Sequence, residues 1–277
     1  MTIWQAIILG VIQGLTEFLP ISSSSHLILV PWLLHWDIFN HASLNQTFDV
    51  ALHFGTFLGV ALFFRREIVG LGRGWIESIA RRSLADDHYR KLSWLVLVST
   101  IPGTATGLLF EHTIEHHLGA PITIGALLIG VGILLAAAER FGRRRRELES
   151  IGWGDAVFIG LAQAIALAPG TSRSGITISA GLFANLRRET AARYSFLISI
   201  PIIGGAAAAK GAELAQTGVP AGLEWPFVVG VLSAAISGYA VIKYFLAYLQ
   251  GNSLYPFVVY RIALGAAVIV LAWRAVL

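Results

Sequence analysis

Long apolar stretches separated by short polar ones make up most of the chain. Those at 92–110, 122–138 and 227–248 are each long enough to cross the hydrocarbon core of a bilayer as a helix, which takes about 20 residues. Other apolar stretches are shorter and end near a proline that is followed by hydroxyl-bearing residues. This pattern predicts an all-α polytopic membrane protein that combines long spans with broken helices.

The breaks in the apolar pattern predict six transmembrane helices and two pairs of re-entrant half-helices. In the first half of the chain, the half-helices are expected at about 3–18 and 23–35, and the spans at about 48–64, 92–110 and 121–139. In the second half, the half-helices are expected at about 153–167 and 172–186, and the spans at about 190–209, 226–248 and 255–273. Because a half-helix is too short to cross the membrane alone, each pair is expected to enter, turn and leave on the same side.

The two halves of the chain resemble each other, which predicts an internal repeat. GVIQGLTEFLPISSSSH at 10–26 is similar to GLAQAIALAPGTSRSG at 160–175, since both contain Gly-x-x-Gln, apolar residues, a proline and a serine-rich turn. A fainter similarity joins 97–107 to 229–238. Within one integral membrane domain, we therefore expect a first repeat at 1–150 and a second at 151–277, each with one re-entrant pair and three spans.

Three crossings per repeat would invert the second repeat relative to the first, and the basic residues agree with this topology. Seventeen of the twenty Lys and Arg residues then lie on one side, as the positive-inside rule requires of the cytoplasmic side. They are seven at 65–91, five at 140–146, three at 187–193, and Lys243 and Arg261, which flank another loop. Both termini would lie outside. Ten simple spans would also place the first two clusters together, so the sorting favours inversion without requiring it.

Composition agrees with a membrane protein and excludes several chemistries. The 277 residues are 56% apolar and 13% charged, whereas soluble domains carry about 25% charged residues. The absence of cysteine excludes disulfides, thiol catalysis and zinc–thiolate sites. The net charge of +4 requires no nucleic-acid partner, because the basic residues sort by membrane side.

The two Pro–Ser breaks are expected to meet near the middle of the membrane, since the re-entrant pairs enter from opposite sides. Pro20 and Pro169 end the incoming half-helices, and the serines that follow can cap the outgoing ones. Backbone N–H groups at 22–25 and 171–174 would then point into a shared cavity, which suits an anion such as phosphate. Arg173 adds a guanidinium that can hold phosphate oxygens through two hydrogen bonds.

The first break also carries reactive side chains. Gln13 and Glu17 are four residues apart and share a helix face. Ser22 and Ser23 precede His26 by four and three residues, so either hydroxyl could approach the imidazole. Serine beside histidine is a nucleophile–base pair, and the glutamate could orient the histidine or bind a divalent cation. With the arginine of the second break, these groups are sufficient for phosphoryl transfer.

Each of these residues also has a structural interpretation. A serine-rich turn after proline is commonly only a cap, and an intramembrane histidine is commonly a hydrogen-bonded structural group. Glu17 and Arg173 could form a buried ion pair that does no more than join the two re-entrant pairs. Ionisable groups inside a membrane are nevertheless functional by default. Three of them beside two repeat-related breaks favour a functional site.

The motifs at the two breaks resemble those of the bacterial undecaprenyl-diphosphate phosphatase family, known also for bacitracin resistance. QGLTEFLPISSSSH at 13–26 is similar to the family's first signature, and PGTSRSGIT at 169–177 is similar to its second. The catalytic core that the resemblance implies consists of Glu17, Ser23, His26 and Arg173. The supporting or phosphate-binding residues that it implies are Gln13, Ser22, Ser172, Ser174 and Thr177.

The resemblance also implies a reaction and its setting. The reaction is hydrolysis of undecaprenyl diphosphate to undecaprenyl phosphate and inorganic phosphate, which recycles the lipid carrier of cell-wall synthesis. A divalent cation, Mg²⁺ or Ca²⁺, is implied as the cofactor, with Glu17 as its candidate ligand. Bacitracin would compete by sequestering the polyprenyl diphosphate substrate. The expected location is the bacterial cytoplasmic (inner) membrane, with a site that opens to the periplasmic face and with a homo-oligomer as one option for the assembly.

Two departures from the family pattern and one alternative function leave choices open. Gln13 stands where many members have glutamate, so the chain has no carboxylate pair for a metal there. Ser25 stands where glycine or alanine is usual, and the choice between Ser22 and Ser23 as nucleophile is open, as is the role of His26 as base, acid or nucleophile. Inverted repeats with broken helices are also typical of transporters. A lipid-phosphate transporter or flippase is therefore the alternative, although transport alone does not need a Ser–His pair.

Overall fold

The structure, a computed structural model, describes residues 1–36, 42–85, 87–219 and 222–276. These residues form eleven α-helices and no strand. The first half contains α1 (Ile3–Phe18), α2 (Ser23–Leu33), α3 (Ala42–Phe63), α4 (Arg65–Arg81), α5 (His88–Leu118) and α6 (Pro121–Phe141). After a 3-10 turn at Leu148–Ser150, the second half contains α7 (Trp153–Ile165), α8 (Arg173–Phe183), α9 (Arg188–Thr217), α10 (Glu224–Gly251) and α11 (Tyr255–Val276).

The long helices have the length and composition of membrane spans. Five of the described helices, α5, α6, α9, α10 and α11, pass this test, and α3 joined to α4 across a 79° bend is a sixth candidate. Helices α1 and α7 are apolar but have only 16 and 13 residues. A helix of that size rises at most about 24 Å, less than the ~30 Å of the hydrocarbon core. The prediction of an all-α polytopic membrane protein is confirmed, and a helix lies at each of the ten predicted positions.

Helix α4 is an addition to the predicted elements, because the basic residues of 65–91 predict only a cytoplasmic loop there. Its Gly70 and Gly74 allow close contact with Tyr89 and with the backbone of Arg90 at the start of α5. Charged residues interrupt the apolar pattern of this segment, so its pattern does not resemble a span. Packing against α5, which the sequence does not show, stabilises the helix. Helices α5 and α9 also continue beyond their predicted ends.

The half-helices α1 and α7 each pack closely on a long span from the other half of the chain. A Cβ atom on Gly10 of α1 would lie 2.4 Å from the carbonyl oxygen of Gly230 in α10. A Cβ atom on Gly160 of α7 would lie 2.8 Å from the backbone of Ser99 in α5. Gly10 and Gly160 occupy matching places in the two similar sequences. This packing supports an inverted repeat, whose boundary at residue 150 stays a prediction.

Ion pairs join the basic segments that the sequence analysis assigns to the cytoplasmic side. Arg188 of α9 bonds to Glu139 of α6, whose side chain is buried. Arg146 donates to both carboxylate oxygens of Asp155, at 2.9 and 2.6 Å. Asp155 also accepts a hydrogen bond of 2.8 Å from the backbone N–H of Gly152 and so caps the first turn of α7. Arg146 and Arg188 thus have partners within the protein.

The end of α1 is fixed in the main hydrophobic core. Phe18, which directly follows Glu17, is fully buried and packs edge-on against Phe196 of α9 with ring centroids 5.3 Å apart. Inside a membrane, such packing stabilises the protein through van der Waals contacts rather than through removal from water. The core therefore holds the last turn of α1, and with it the carboxylate of Glu17, next to the second half of the chain.

Candidate active site

Both Pro–Ser breaks adopt the same unusual backbone conformation. Ser22 has φ 74° and ψ 97°, and Ser172 has φ 69° and ψ 111°. Such angles are rare for a residue with a Cβ atom and cost about 1–3 kcal/mol each, so the surrounding structure must hold them. Ser23 and Arg173 follow directly as the first residues of α2 and α8. The two strained turns therefore place a hydroxyl and a guanidinium at equivalent positions.

The serines at the two turns differ in how they cap the following helix. Ser172 Oγ accepts a hydrogen bond of 3.1 Å from the backbone of Gly175, as expected of a cap. Ser22 makes no such bond. The backbone N–H groups of 22–25 have no acceptor within the part of the chain that the structure describes, and they are available to an anion. The expectation of a free N–H at Thr171 is wrong, because this group bonds to a carbonyl of its own turn.

Glu17 joins the two turns through its two carboxylate oxygens. Oε2 accepts hydrogen bonds from Ser23 Oγ at 2.6 Å and from Gln13 Nε2 at 3.1 Å. Oε1 accepts from Arg173 Nη2 at 2.7 Å. His53 of α3 places its Nε2 atom 3.6 Å from Oε2. Three of the four implied catalytic residues are therefore in contact, and no sequence motif marks His53 as their neighbour.

His26 is held away from this carboxylate. Its Nδ1 lies 2.6 Å from the carbonyl oxygen of Ser22. Because a carbonyl only accepts, Nδ1 carries the proton, and in the neutral ring Nε2 then accepts from the Tyr260 hydroxyl at 2.7 Å. No hydrogen bond links the described side chains of Ser23 and His26. The Ser–His contact suggested by their spacing is not formed, and Glu17 does not orient His26.

One of the two terminal nitrogens of Arg173 is a buried donor without a partner among the described residues. Its side chain is 13% exposed and its Nη2 pairs with Glu17, while Nη1 is buried and has no hydrogen-bond partner among the described residues. A buried donor left unpaired costs about 1–3 kcal/mol, so such a group points to a ligand. Arg173 can thus hold Glu17 with one nitrogen and an anion with the other.

The other implied supporting residues brace the turns. Ser174 Oγ donates to the carbonyl of Leu19 at 2.8 Å, which links the second turn to the first. Thr177 Oγ1 lies 2.6 Å from Ser195 Oγ and donates to the carbonyl of Arg173 at 2.7 Å. Thr177 is therefore directed towards α9 and makes no contact with Glu17 in the structure as described.

Arg261 is a site residue whose position in the sequence predicts the wrong location. The topology predicts that it flanks a cytoplasmic loop, but its side chain in α11 is fully buried. It donates to the carbonyls of Pro20, Gly170 and Thr171, and thus reaches both turns. An arginine between apolar residues is the sequence feature that indicates a buried cation here. Because Arg261 also lies near the predicted loop, the same feature is explained equally well by a position at the membrane surface. Tyr260, the neighbour of Arg261, was missed as well.

Comparison with known proteins agrees with these motifs. Residues 6–267 match the family described as "Bacitracin resistance protein BacA". The chain belongs to this family. Proteins named undecaprenyl-diphosphatase are 47% identical in Pelobacter propionicus, over 97% of both chains, and 44% identical in Thermomicrobium roseum, over 96% of both. A protein named undecaprenyl-diphosphatase 2 from Stutzerimonas stutzeri is 44% identical over 98% of both chains.

The site of this BacA family member is compatible with a cation that is shared with a phosphate ligand. No group of three His, Asp or Glu side chains able to hold a metal ion occurs among the described residues. Beside the carboxylate of Glu17, however, Gln13 Oε1 is a buried oxygen with no partner in the described structure. One carboxylate together with phosphate oxygens is a common ligand set for Mg²⁺. These donors fit a cation that binds with the substrate.

Proposed function

We propose that this protein hydrolyses undecaprenyl diphosphate to undecaprenyl phosphate and inorganic phosphate. It would thereby recycle the lipid carrier for peptidoglycan and other cell-wall polymers and confer resistance to bacitracin. The names of its relatives support the substrate. The observation that carries the proposal is the group in which Glu17 contacts both the Ser23 hydroxyl and the Arg173 guanidinium.

In the first step, Ser23 Oγ attacks the terminal phosphorus of the diphosphate. The bond from this phosphorus to the bridging oxygen breaks, and undecaprenyl phosphate leaves with the bridging oxygen. The proton of Ser23 passes to Glu17 Oε2, which already accepts its hydrogen bond at 2.6 Å. Because the serine contacts Glu17 and not His26, the contacts support Glu17 as the base.

Arg173 and the start of α2 bind the phosphoryl group during this step. The unpaired Nη1 of Arg173 donates to a phosphoryl oxygen while Nη2 remains near Glu17. The free N–H groups of 22–25 add donors at the positive end of the helix dipole. Donors fixed in advance stabilise charge that develops in the transition state, which is usually the largest single contribution to catalysis.

In the second step, water hydrolyses the phosphoserine. Protonated Glu17 has lost its negative charge and returns its proton to Ser23 Oγ as the phosphorus–oxygen bond breaks. The water oxygen bonds to phosphorus and both protons of the water leave with the inorganic phosphate as H₂PO₄⁻, so the enzyme is restored. His26 binds the Ser22 carbonyl and thereby holds the turn on which Ser23 lies.

A divalent cation, Mg²⁺ or Ca²⁺, is part of the proposal. Glu17 and Gln13 Oε1 would hold it together with oxygens of the diphosphate. Its contribution when bound is to neutralise negative charge on the substrate. No separate cage of protein carboxylates is needed for this kind of binding.

The proposal places the protein in the bacterial cytoplasmic (inner) membrane, with the site open to the periplasmic face. The arrangement is supported by the basic segments and their ion pairs, which lie together on the side assigned to the cytoplasm. The prenyl chain would remain among apolar helix surfaces. Bacitracin would compete by sequestering the substrate, and a homo-oligomer is compatible with the exposed apolar helix faces.

Phosphate release from undecaprenyl diphosphate by the purified protein in detergent tests the proposal. We expect release of one phosphate per substrate, no release from undecaprenyl phosphate, and loss of activity in EDTA that added Mg²⁺ or Ca²⁺ restores. Absence of phosphate release with either cation would contradict the proposed function. Unchanged activity in EDTA would contradict only the role of the cation.

A further inference from the structure

Arg261 connects parts of the molecule that are far apart in sequence. Its Nη1 donates to the carbonyl of Pro20 at 3.1 Å, and its Nη2 donates to the carbonyls of Gly170 and Thr171 at 2.8 and 3.0 Å. Its Nε donates to the carbonyl of Leu128 in α6 at 3.2 Å. One side chain of α11 thus binds both Pro–Ser turns and a span.

The partners of this buried cation are all backbone carbonyls. Arg261 is fully buried and forms no ion pair with a described carboxylate. The carbonyls of Pro20, Gly170 and Thr171 lie in the turns that follow α1 and α7. A planar guanidinium can bind several such oxygens at once in fixed directions. Backbone carbonyls of both turns therefore meet at one positive group.

Three of the carbonyls that Arg261 binds lie one or two residues before a strained serine. Thr171 precedes Ser172, and Pro20 is two residues before Ser22; both serines have positive φ. Strained conformations persist only when the surroundings fix them. The first residue after each strained serine is the proposed nucleophile or the phosphate-binding arginine.

We propose that Arg261 is a positioning residue that holds the two turns in register, so that Ser23 and Arg173 act on the same phosphoryl group. This inference rests on the proposed function. Two contacts link the turns directly, the ion pair between Arg173 and Glu17 and the hydrogen bond from Ser174 to the carbonyl of Leu19. Arg261 adds hydrogen bonds to the backbone of both turns, and these bonds use no atom of the catalytic group.

Arg261→Lys and Arg261→Gln test the role of the guanidinium. Each variant keeps a long polar side chain but cannot reach Pro20, Gly170 and Leu128 together. We expect both to fold and their kcat to fall on the order of a hundredfold, the loss that a displacement of about 1 Å causes, while KM stays within about threefold. Arg90→Lys is the control, since Arg90 is also buried and bonds to Glu77 and a carbonyl near α4. It should retain parent kinetics.

A double-variant comparison separates positioning from a general loss of structure. If Arg261 acts through the turn of Arg173, then Arg261→Lys should cost much less in an Arg173→Lys background than in the parent. Equal losses in both backgrounds, a folded Arg261 variant with parent kcat, or failure of both variants to fold would each overturn the inference. An inactive parent protein would instead contradict the proposed function, so the two failures are distinguishable.

Discussion

Replacing Arg173 separates the geometry of its guanidinium from its charge. In the structure, Nη2 binds Glu17 at 2.7 Å and the buried Nη1 is unpaired among the described residues. The single ammonium group of Arg173→Lys keeps the positive charge but cannot serve Glu17 and a phosphate oxygen in two fixed directions. Loss of one preorganised donor costs about 2.7–4 kcal/mol in the transition state, roughly a hundredfold to a thousandfold in kcat.

Arg173→Ala should differ from the lysine variant in stability as well. Glu17, with 7% of its side chain exposed, would lose its partner, and breaking a buried ion pair in this way costs about 3–5 kcal/mol. We therefore expect the alanine variant to lose turnover and to melt at a lower temperature. The lysine variant should lose turnover with little change in melting.

The assay is phosphate release from undecaprenyl diphosphate, with thermal unfolding measured on the same samples. Arg188→Lys is the matched control, because Arg188 also pairs with a buried glutamate, Glu139, but lies at the cytoplasmic end of the molecule. It should retain nearly parent turnover. Near-parent activity of Arg173→Lys would refute the bidentate role and leave only a requirement for positive charge.

Three further predictions concern the partner of His26, the packing of α1 and the membrane topology. Tyr260→Phe removes one hydrogen bond to His26. Since one hydrogen bond contributes about 0.5–1.5 kcal/mol, kcat should fall roughly 2- to 13-fold, and an unchanged kcat would show that this bond plays no part in turnover. Gly10→Ala should lower the melting temperature because its Cβ would meet Gly230, whereas Gly130→Ala, which has open space, should not; equal melting would reject the proposed packing. In this cysteine-free chain, an impermeant thiol reagent on intact cells should label Trp36→Cys but not Leu84→Cys, and the reverse would contradict the topology.

The helices could be predicted because a helix that crosses a membrane requires a long apolar stretch, which is visible in the sequence. The length of the apolar stretches identified the spans. The Pro–Ser breaks located the region where α1 and α7 end and where α2 and α8 begin. Helix α4 depends on contacts of Gly70 and Gly74 with α5, and such contacts leave no periodic apolar signal.

The sequence predicted which residues form the site better than it predicted which of them are in contact. Glu17, Ser23 and Arg173 could be grouped because both breaks were expected at the same depth. The Ser–His prediction rested on helical spacing, and Ser23 and His26 do lie together in α2. Spacing does not fix the partner of a side chain, and here Ser23 binds Glu17 while His26 binds the Ser22 carbonyl and Tyr260.

Arg261 shows a limit of topology rules. Such rules count a basic residue near the end of a span as cytoplasmic. They cannot distinguish a side chain that reaches a loop from one that points inwards to the carbonyls of Pro20 and Gly170. Only the tertiary structure makes that distinction.

The most direct test of the account compares Ser23→Ala with Ser24→Ala in the phosphate-release assay. The Ser23 hydroxyl donates to Glu17, whereas the Ser24 hydroxyl lies 3.2 Å from the Ser22 hydroxyl and makes no contact with Glu17 among the described residues. The account predicts that purified Ser23→Ala still binds undecaprenyl diphosphate but releases no phosphate, while Ser24→Ala retains activity. Phosphate release by Ser23→Ala at nearly the parent rate would contradict the account, because Ser23 could not then be the nucleophile.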